Sequence, residues 1–332
     1  MGTNNIQRYK RILSGVLVCL MMLILIVGIE TFFIFARTLS GKSLAKDAAI
    51  PNSPAAWQPP SMASIPAGEN GISILYGQML VRETARFLGP KGSVMQITNG
   101  MNCQNCHLQA GTKPFGNNYS ATAVSYPKFR SRSNSIETLN KRISDCFERS
   151  LNGEAPDSNG REMTAIRHYI EWVGSDVHRD QQPEGSGIRK PAYLNRAADP
   201  AKGAKIYTQK CQSCHGANGE GVQQADGVAY TYPPLWGEHS YNDGAGLYRL
   251  SNFAGYVKYN MPFGVDYTAP QLSDEEAWDV AAFINSQPRP HKDQSADWKT
   301  LKKKPVDFPF GPYADAFSEQ QHKYGPFKPM QQ

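Results

Sequence analysis

The pentapeptide CQNCH at residues 103–107 recurs as CQSCH at residues 211–215, and this repeat decides how the rest of the chain is interpreted. C-x-x-C-H is the attachment signature of c-type haem: two thiols bind the porphyrin covalently, and the histidine ligates its iron on the proximal side. We therefore expect two covalently bound c-type haems with His107 and His215 on their irons. The attaching thiols would be those of Cys103, Cys106, Cys211 and Cys214.

Each motif is followed by a long irregular stretch and then by a segment with helical periodicity. In residues 161–174, REMTAIRHYIEWVG, the apolar side chains recur at helical spacing on one face. In residues 273–286, SDEEAWDVAAFINS, Ser273 and Glu276 predict a capping box at the start of the helix. No alternating strand pattern of any length occurs. The sequence thus predicts an all-α fold with two cytochrome c-like domains, an N-terminal transmembrane helix and an irregular C-terminal tail.

Changes in composition divide the chain into five parts. A Pro/Ala-rich linker and a polar, turn-rich stretch near residue 180 separate the compact segments. The tail is aromatic and carries several Pro and Gly, so we expect it to pack back on the domains. The parts are a membrane anchor or signal segment (1–40), the linker (41–68), a first haem domain with the active site (69–180), a second haem domain (192–290) and the tail (291–332).

Residues 12–36 form an apolar run interrupted only by Glu30, long enough to cross a bilayer as one helix. A cleaved signal peptide is the alternative, although its apolar region typically has only about 7–15 residues. Since c-type haem is attached outside the bacterial cytoplasm, we expect the remainder on the periplasmic side of the inner membrane, anchored by this run. The chain has a net charge of +6, but its sequence contains no basic helix with interleaved aromatic residues. Nucleic acid is therefore not an expected partner.

The two haems differ in the distal ligands that the sequence offers. In the second domain, VKYNMPFG supplies Met261 in a loop before the last helix, and His/Met ligation is typical of electron relays. No methionine or histidine lies between His107 and Met163, and Met163 falls on the apolar face of its helix. The sixth ligand of the first haem is therefore a lysine, a water, nothing, or Cys146.

The neighbourhood of Cys146 indicates chemistry. Residues 135–153, SIETLNKRISDCFERSLNG, predict a helix in which Arg142, Cys146 and Ser150 share one face at i, i+4 and i+8. Arg132 precedes this helix and is expected to approach the same place. Guanidinium groups bind oxyanions with forked donors and favour a thiolate, which suits a small sulfur oxyanion. The weaker alternative is a buried cysteine on a basic helix.

The chain resembles the dihaem thiosulfate dehydrogenases. The resemblance covers most of the chain beyond the linker and rests on both haem motifs, CFERSLNG (146–153), NMPFG (260–264) and the tail segment 307–327. It implies an iron between His107 and Cys146, and a second one between His215 and Met261. It also implies that the substrate is held by Arg132, Arg142 and Ser150. Some relatives carry a lysine directly before the methionine ligand, where this chain has Asn260, and Lys258 is near.

The resemblance further implies the reaction, in which two thiosulfates are joined to tetrathionate and two electrons pass through the second haem to a partner. A cytochrome c or a terminal oxidase would accept them, and the same site could reduce tetrathionate in reverse. One competing hypothesis is a membrane-tethered relay cytochrome without a substrate of its own. Another is a sulfur enzyme acting on a different oxyanion, such as sulfite.

Overall fold

The computed structural model describes residues 21–22 and 55–331, and within them the chain is mostly helical. The helices are α1 (Glu69–Arg82), α2 (Thr84–Leu88), α3 (Leu108–Gly111), α4 (Leu139–Arg149), α5 (Arg161–Val173), α6 (Pro200–Lys210), α7 (Gln212–His215), α8 (Leu250–Asn260), α9 (Asp274–Ser286) and α10 (Glu319–Tyr324). Six single 3₁₀ turns connect them, at Met62–Ser64, Cys103–Asn105, Ala123–Ser125, Gly246–Tyr248, Leu301–Lys303 and Lys328–Met330.

Two short antiparallel hairpins interrupt this helical fold: β1 (Lys128–Arg130) pairs with β2 (Ser135–Glu137), and β3 (Val222–Gln223) pairs with β4 (Tyr230–Tyr232). The expectation of an all-α chain is therefore corrected to a mostly helical one. The helix predicted over 135–153 is shorter than expected, because its first three residues form β2 and helix α4 begins only at Leu139. Thr138 ends the strand and caps the helix, since its hydroxyl accepts a hydrogen bond from the Lys141 amide.

Two helix pairs organise the two hydrophobic cores, and each pair crosses at a glycine. Helix α1 packs on α5, and α6 packs on α9. A Cβ on Gly77 would lie 1.9 Å from the carbonyl oxygen of Ala165, and a Cβ on Gly203 would lie 1.9 Å from that of Asp279. Only glycine permits such an approach between helix backbones. The predicted capping box of Ser273 and Glu276 is present at the start of α9.

The C-terminal tail packs on the second core. Phe327 and Met330 are buried in the second core. Asp307, 1% exposed, accepts hydrogen bonds from the Arg249 guanidinium and from the Ser251 hydroxyl. These contacts join the irregular tail to α8 through a buried charge rather than through regular secondary structure.

No helix within residues 21–22 and 55–331 is long and apolar enough to cross a bilayer. The predicted anchor, residues 12–36, lies outside the described residues except for Met21 and Met22.

Candidate active site

A cavity opens between the first haem motif and helix α4. It encloses about 820 Å³, including its mouth, and has mixed apolar and polar walls. The sequence-predicted residues that line it are Cys103, Cys106, His107, Arg142, Cys146 and Ser150. The cavity therefore brings the first C-x-x-C-H motif and the predicted face of α4 to one place.

His107 has the properties of an iron ligand. Its Nδ1 lies 2.6 Å from the carbonyl oxygen of Asn117, which can only accept, so Nδ1 carries the proton and Nε2 keeps its lone pair. Burial lowers the pKa of His107 to about 4, so the imidazole is neutral at physiological pH. The Tyr119 ring lies 4.6 Å from the imidazole and restricts its orientation. A neutral imidazole with a fixed tautomer fits a haem iron.

The attachment thiols lie in a dry environment. Burial raises the pKa of Cys103 to about 11 and that of Cys106 to about 12. In the second motif burial raises the pKa of Cys211 to about 11. Burial therefore disfavours the thiolate form of all three side chains.

Cys146 faces a cation instead. The Nη1 of Arg142 lies 3.1 Å from the Cys146 sulfur, as expected for side chains one helical turn apart. The negative charge of a Cys146 thiolate raises the pKa of Arg142 above its ordinary value, against the opposing effect of burial. Ser150 caps the helix, and its amide donates to the Cys146 carbonyl at 2.8 Å. One face of α4 thus presents a cation, a sulfur and a hydroxyl to the cavity.

Arg132 does not line this cavity. Its Nη2 lies 2.5 Å from the carboxylate of Asp145, which also accepts a hydrogen bond from Lys141. Burial alone would raise the pKa of Asp145, but the charges of Arg132 and Lys141 lower it. The backbone amide of Trp298, from the tail, donates to the Arg132 carbonyl at 2.7 Å. Arg132 is therefore held beside the helix by Asp145 and by the tail.

The second motif is built in the same way. His215 Nδ1 donates to the carbonyl oxygen of Pro233 at 2.9 Å, and burial lowers the pKa of His215. Met261 directly follows α8 and packs, half-buried, against the second core. The Lys258 ammonium is hydrogen-bonded to the Asp274 carboxylate.

Sequence reasoning missed three residues at the first site. Asp145 stands next to Cys146 in the sequence, but no periodicity pairs its carboxylate with Arg132. Asn117 acts through its backbone carbonyl, for which no sequence pattern exists. Met101, 2% exposed, lines the cavity although it precedes the haem motif, outside the interval in which a distal ligand is expected.

Comparisons with known proteins agree with two cytochrome c domains. The family model described as "SoxA/TsdA, cytochrome c domain" matches residues 94–178, and the one described as "Cytochrome c" matches residues 200–288. Two such domains imply c-type haems, and both C-x-x-C-H motifs fall inside the matched ranges.

Similar proteins cover most of the chain. It is 37% identical over 242 residues to the thiosulfate dehydrogenase of Psychrobacter arcticus, covering 72% of this chain and 70% of that protein. It is 37% identical over 235 residues to the thiosulfate dehydrogenase of Allochromatium vinosum, covering 70% of this chain and 83% of that protein. The solved structure of thiosulfate dehydrogenase TsdBA from Marichromatium purpuratum matches 71% of this chain with a TM-score of 0.65 and 33% identity. This chain covers 50% of that one. The sequence identity to these relatives, the share of each chain that is covered and the two cytochrome c domains show that the chain belongs to the thiosulfate dehydrogenase family.

Proposed function

We propose that this chain joins two thiosulfates to tetrathionate and releases two electrons. The observation that carries the proposal is the contact between Arg142 and Cys146, 3.1 Å apart, on the wall of the cavity that also contains the first haem motif. A relay cytochrome has no need for a sulfur activated by a cation at its haem. The relatives named above are thiosulfate dehydrogenases, which further supports the assignment.

Cys103, Cys106, His107 and Cys146 would hold the first haem. Cys211, Cys214, His215 and Met261 would hold the second. The two haems, when bound, take up the electrons one at a time. Cys146 would therefore have two roles, as one of the side chains that hold the haem and as the sulfur that reacts with thiosulfate.

Substrate binding relies on positive charge in a partly dry site. Arg142 and Ser150 donate hydrogen bonds to the sulfonate oxygens of the first thiosulfate beside Cys146. Arg132 lies outside the cavity and is paired with Asp145. Thiosulfate is a dianion, so the charge of Arg142 offsets its repulsion from the Cys146 thiolate.

Two bond changes on Cys146 complete the reaction. First, a sulfur–sulfur bond forms between the Cys146 thiolate and the terminal sulfur of thiosulfate, and two electrons leave. Second, another thiosulfate attacks that terminal sulfur, and the bond to Cys146 breaks as in thiol–disulfide exchange. Tetrathionate departs and the Cys146 thiolate is restored. Run backward, the same steps reduce tetrathionate.

The cytochrome c domains place the protein outside the cytoplasm, and we assign it to the periplasmic side of the inner membrane. Residues 12–36 would anchor it there. The second haem would supply the route for the electrons to a cytochrome c or a terminal oxidase as the acceptor.

The test is tetrathionate formation by the wild type and by Cys146→Ala. We expect thiosulfate to reduce the haems of the wild type and tetrathionate to appear, and both to be lost in Cys146→Ala although both haems remain attached. Ser144→Ala is the matched control, because Ser144 lies on the same helix but bonds only the Asn140 carbonyl. If thiosulfate never reduces the haems of the wild type, the proposed reaction is refuted.

A further inference from the structure

Helix α4, which carries Cys146, ends in a way that its own domain does not complete. The last four carbonyls of an α-helix have no partner inside the helix and need one elsewhere. Backbone amides that directly follow the helix donate to the carbonyls of Cys146 and Phe147. The carbonyls of Glu148 and Arg149 remain, and their partners come from a distant part of the chain.

One residue of the second haem domain, Asn242, satisfies both of these carbonyls. Its side-chain amide donates to the Glu148 carbonyl at 2.8 Å, and its backbone amide donates to the Arg149 carbonyl at 3.1 Å. The side-chain amide also donates to the side-chain oxygen of Asn152 at 2.9 Å. Asn242 is only 1% exposed, so these bonds form away from bulk water, where an unpaired carbonyl is costly. The second haem domain therefore caps the helix of the first.

A buried ion pair holds the same end of α4. The Arg149 guanidinium lies 2.9 Å from the carboxylate of Asp297 in the tail, and each of the two side chains is 10% exposed. The Nη1 of Arg149 also donates to the Gly244 carbonyl at 3.4 Å. Removing one partner of a buried pair leaves an uncompensated charge, so the pair joins the helix end to the tail.

The segment that supplies the cap, residues 240–245, is itself attached on both sides. Tyr241 and Ala245 are buried in the first core, although they belong to the second haem domain. The Tyr241 hydroxyl donates to the side chain of Asn285 in α9 at 2.8 Å. The segment is thus a fixed support against which the end of α4 rests.

We propose that Asn242 and Asp297 are positioning residues, through which the second haem domain and the tail complete the reaction site. Both contact the end of α4, where Cys146 and Ser150 line the cavity, and neither of them lines it. Their effect on the reaction therefore passes through the helix. A displacement of about 1 Å caused by a residue far from the chemistry can cost about 100-fold in rate. This inference rests on the proposed function, because it concerns two side chains that the reaction uses.

The test compares Asn242→Ala and Asp297→Asn with the wild type, each as the full chain with both haems attached. The first measurement is kcat/KM for thiosulfate in tetrathionate formation, well below the melting temperature of each variant. We expect it to fall about 10- to 100-fold in both variants. The second is the electron paramagnetic resonance spectrum of the oxidised protein, in which a thiolate-ligated and a methionine-ligated haem give separate signals. We expect the thiolate signal to weaken and the methionine signal to stay, which a general loss of stability would not produce.

Asn252→Ala is the matched control, because the Asn252 side chain also donates to a backbone carbonyl, that of Gly246 at 2.8 Å, but within the second haem domain. It should keep the kcat/KM and the spectrum of the wild type. A folded Asn242→Ala protein with wild-type kcat/KM and thiolate signal overturns the proposal, since its contacts then only stabilise the fold. If Asn242→Ala does not fold, the same comparison on Asp297→Asn decides. A wild type that makes no tetrathionate refutes the proposed function, whereas the spectra still decide whether Asn242 positions Cys146.

Discussion

Replacing Arg142 by glutamine would remove the cation that faces Cys146 while preserving most of the side chain's length. Arg142 donates to the sulfur at 3.1 Å. A hydrogen bond to a charged group contributes about 1.5–3 kcal/mol. Since about 1.4 kcal/mol corresponds to a factor of ten, the loss in kcat/KM for thiosulfate should be about 10- to 150-fold. The kcat/KM of Arg142→Lys should lie between those of the wild type and Arg142→Gln, because lysine retains the charge but not the forked donors.

The assay is tetrathionate formation with an artificial electron acceptor, together with the haem absorption spectrum to verify that both haems are attached. Arg167→Gln is the matched control, since Arg167 belongs to the same domain but pairs with Glu171 on the surface. Its kcat/KM should equal that of the wild type. An Arg142→Gln protein with intact haems and a kcat/KM within about twofold of the wild type would refute the role given to this contact.

Two further predictions concern stability. Gly77→Ala should lower the free energy of unfolding by about 1–3 kcal/mol, because the new Cβ collides with the Ala165 carbonyl. Gly246→Ala is the control, because the space around its Cβ is open and its free energy of unfolding should change little. Thermal melts of the two variants check this difference. Asp307→Asn should cost about 3–5 kcal/mol at about pH 5, because it leaves Arg249 without its buried partner. Burial alone would raise the pKa of Asp307, but the charge of Arg249 lowers it below the ordinary value of an aspartate. The ionised carboxylate therefore stabilises the fold fully at a pH above the ordinary pKa. This contribution disappears as the pH falls through the lowered pKa of the folded protein. The melting temperatures of wild type and Asp307→Asn should therefore converge on acidification, and a gap that stays constant down to about pH 2 would contradict the assignment.

Features with a local code could be predicted from the sequence. The haem motifs, the capping box at Ser273 and the contact between Arg142 and Cys146 each depend on residues within a few positions of one another. Helical spacing alone brings side chains four residues apart together. The same reasoning failed at residues 135–137, which form a strand, because a three-residue strand carries too little periodicity to be distinguished from the start of a helix.

By itself, then, the sequence determined that this protein has two haem-attachment motifs, two closing helices and a cysteine beside an arginine. Only the tertiary structure decided that Asp145 takes up Arg132 and that the tail reaches the Arg132 backbone through Trp298. These contacts join residues whose separation along the chain obeys no period. The entropy cost of closing a loop changes only slowly with the length of the loop. Each residue can therefore contact many distant partners at a similar entropy cost, and the packing of the folded protein selects one of them.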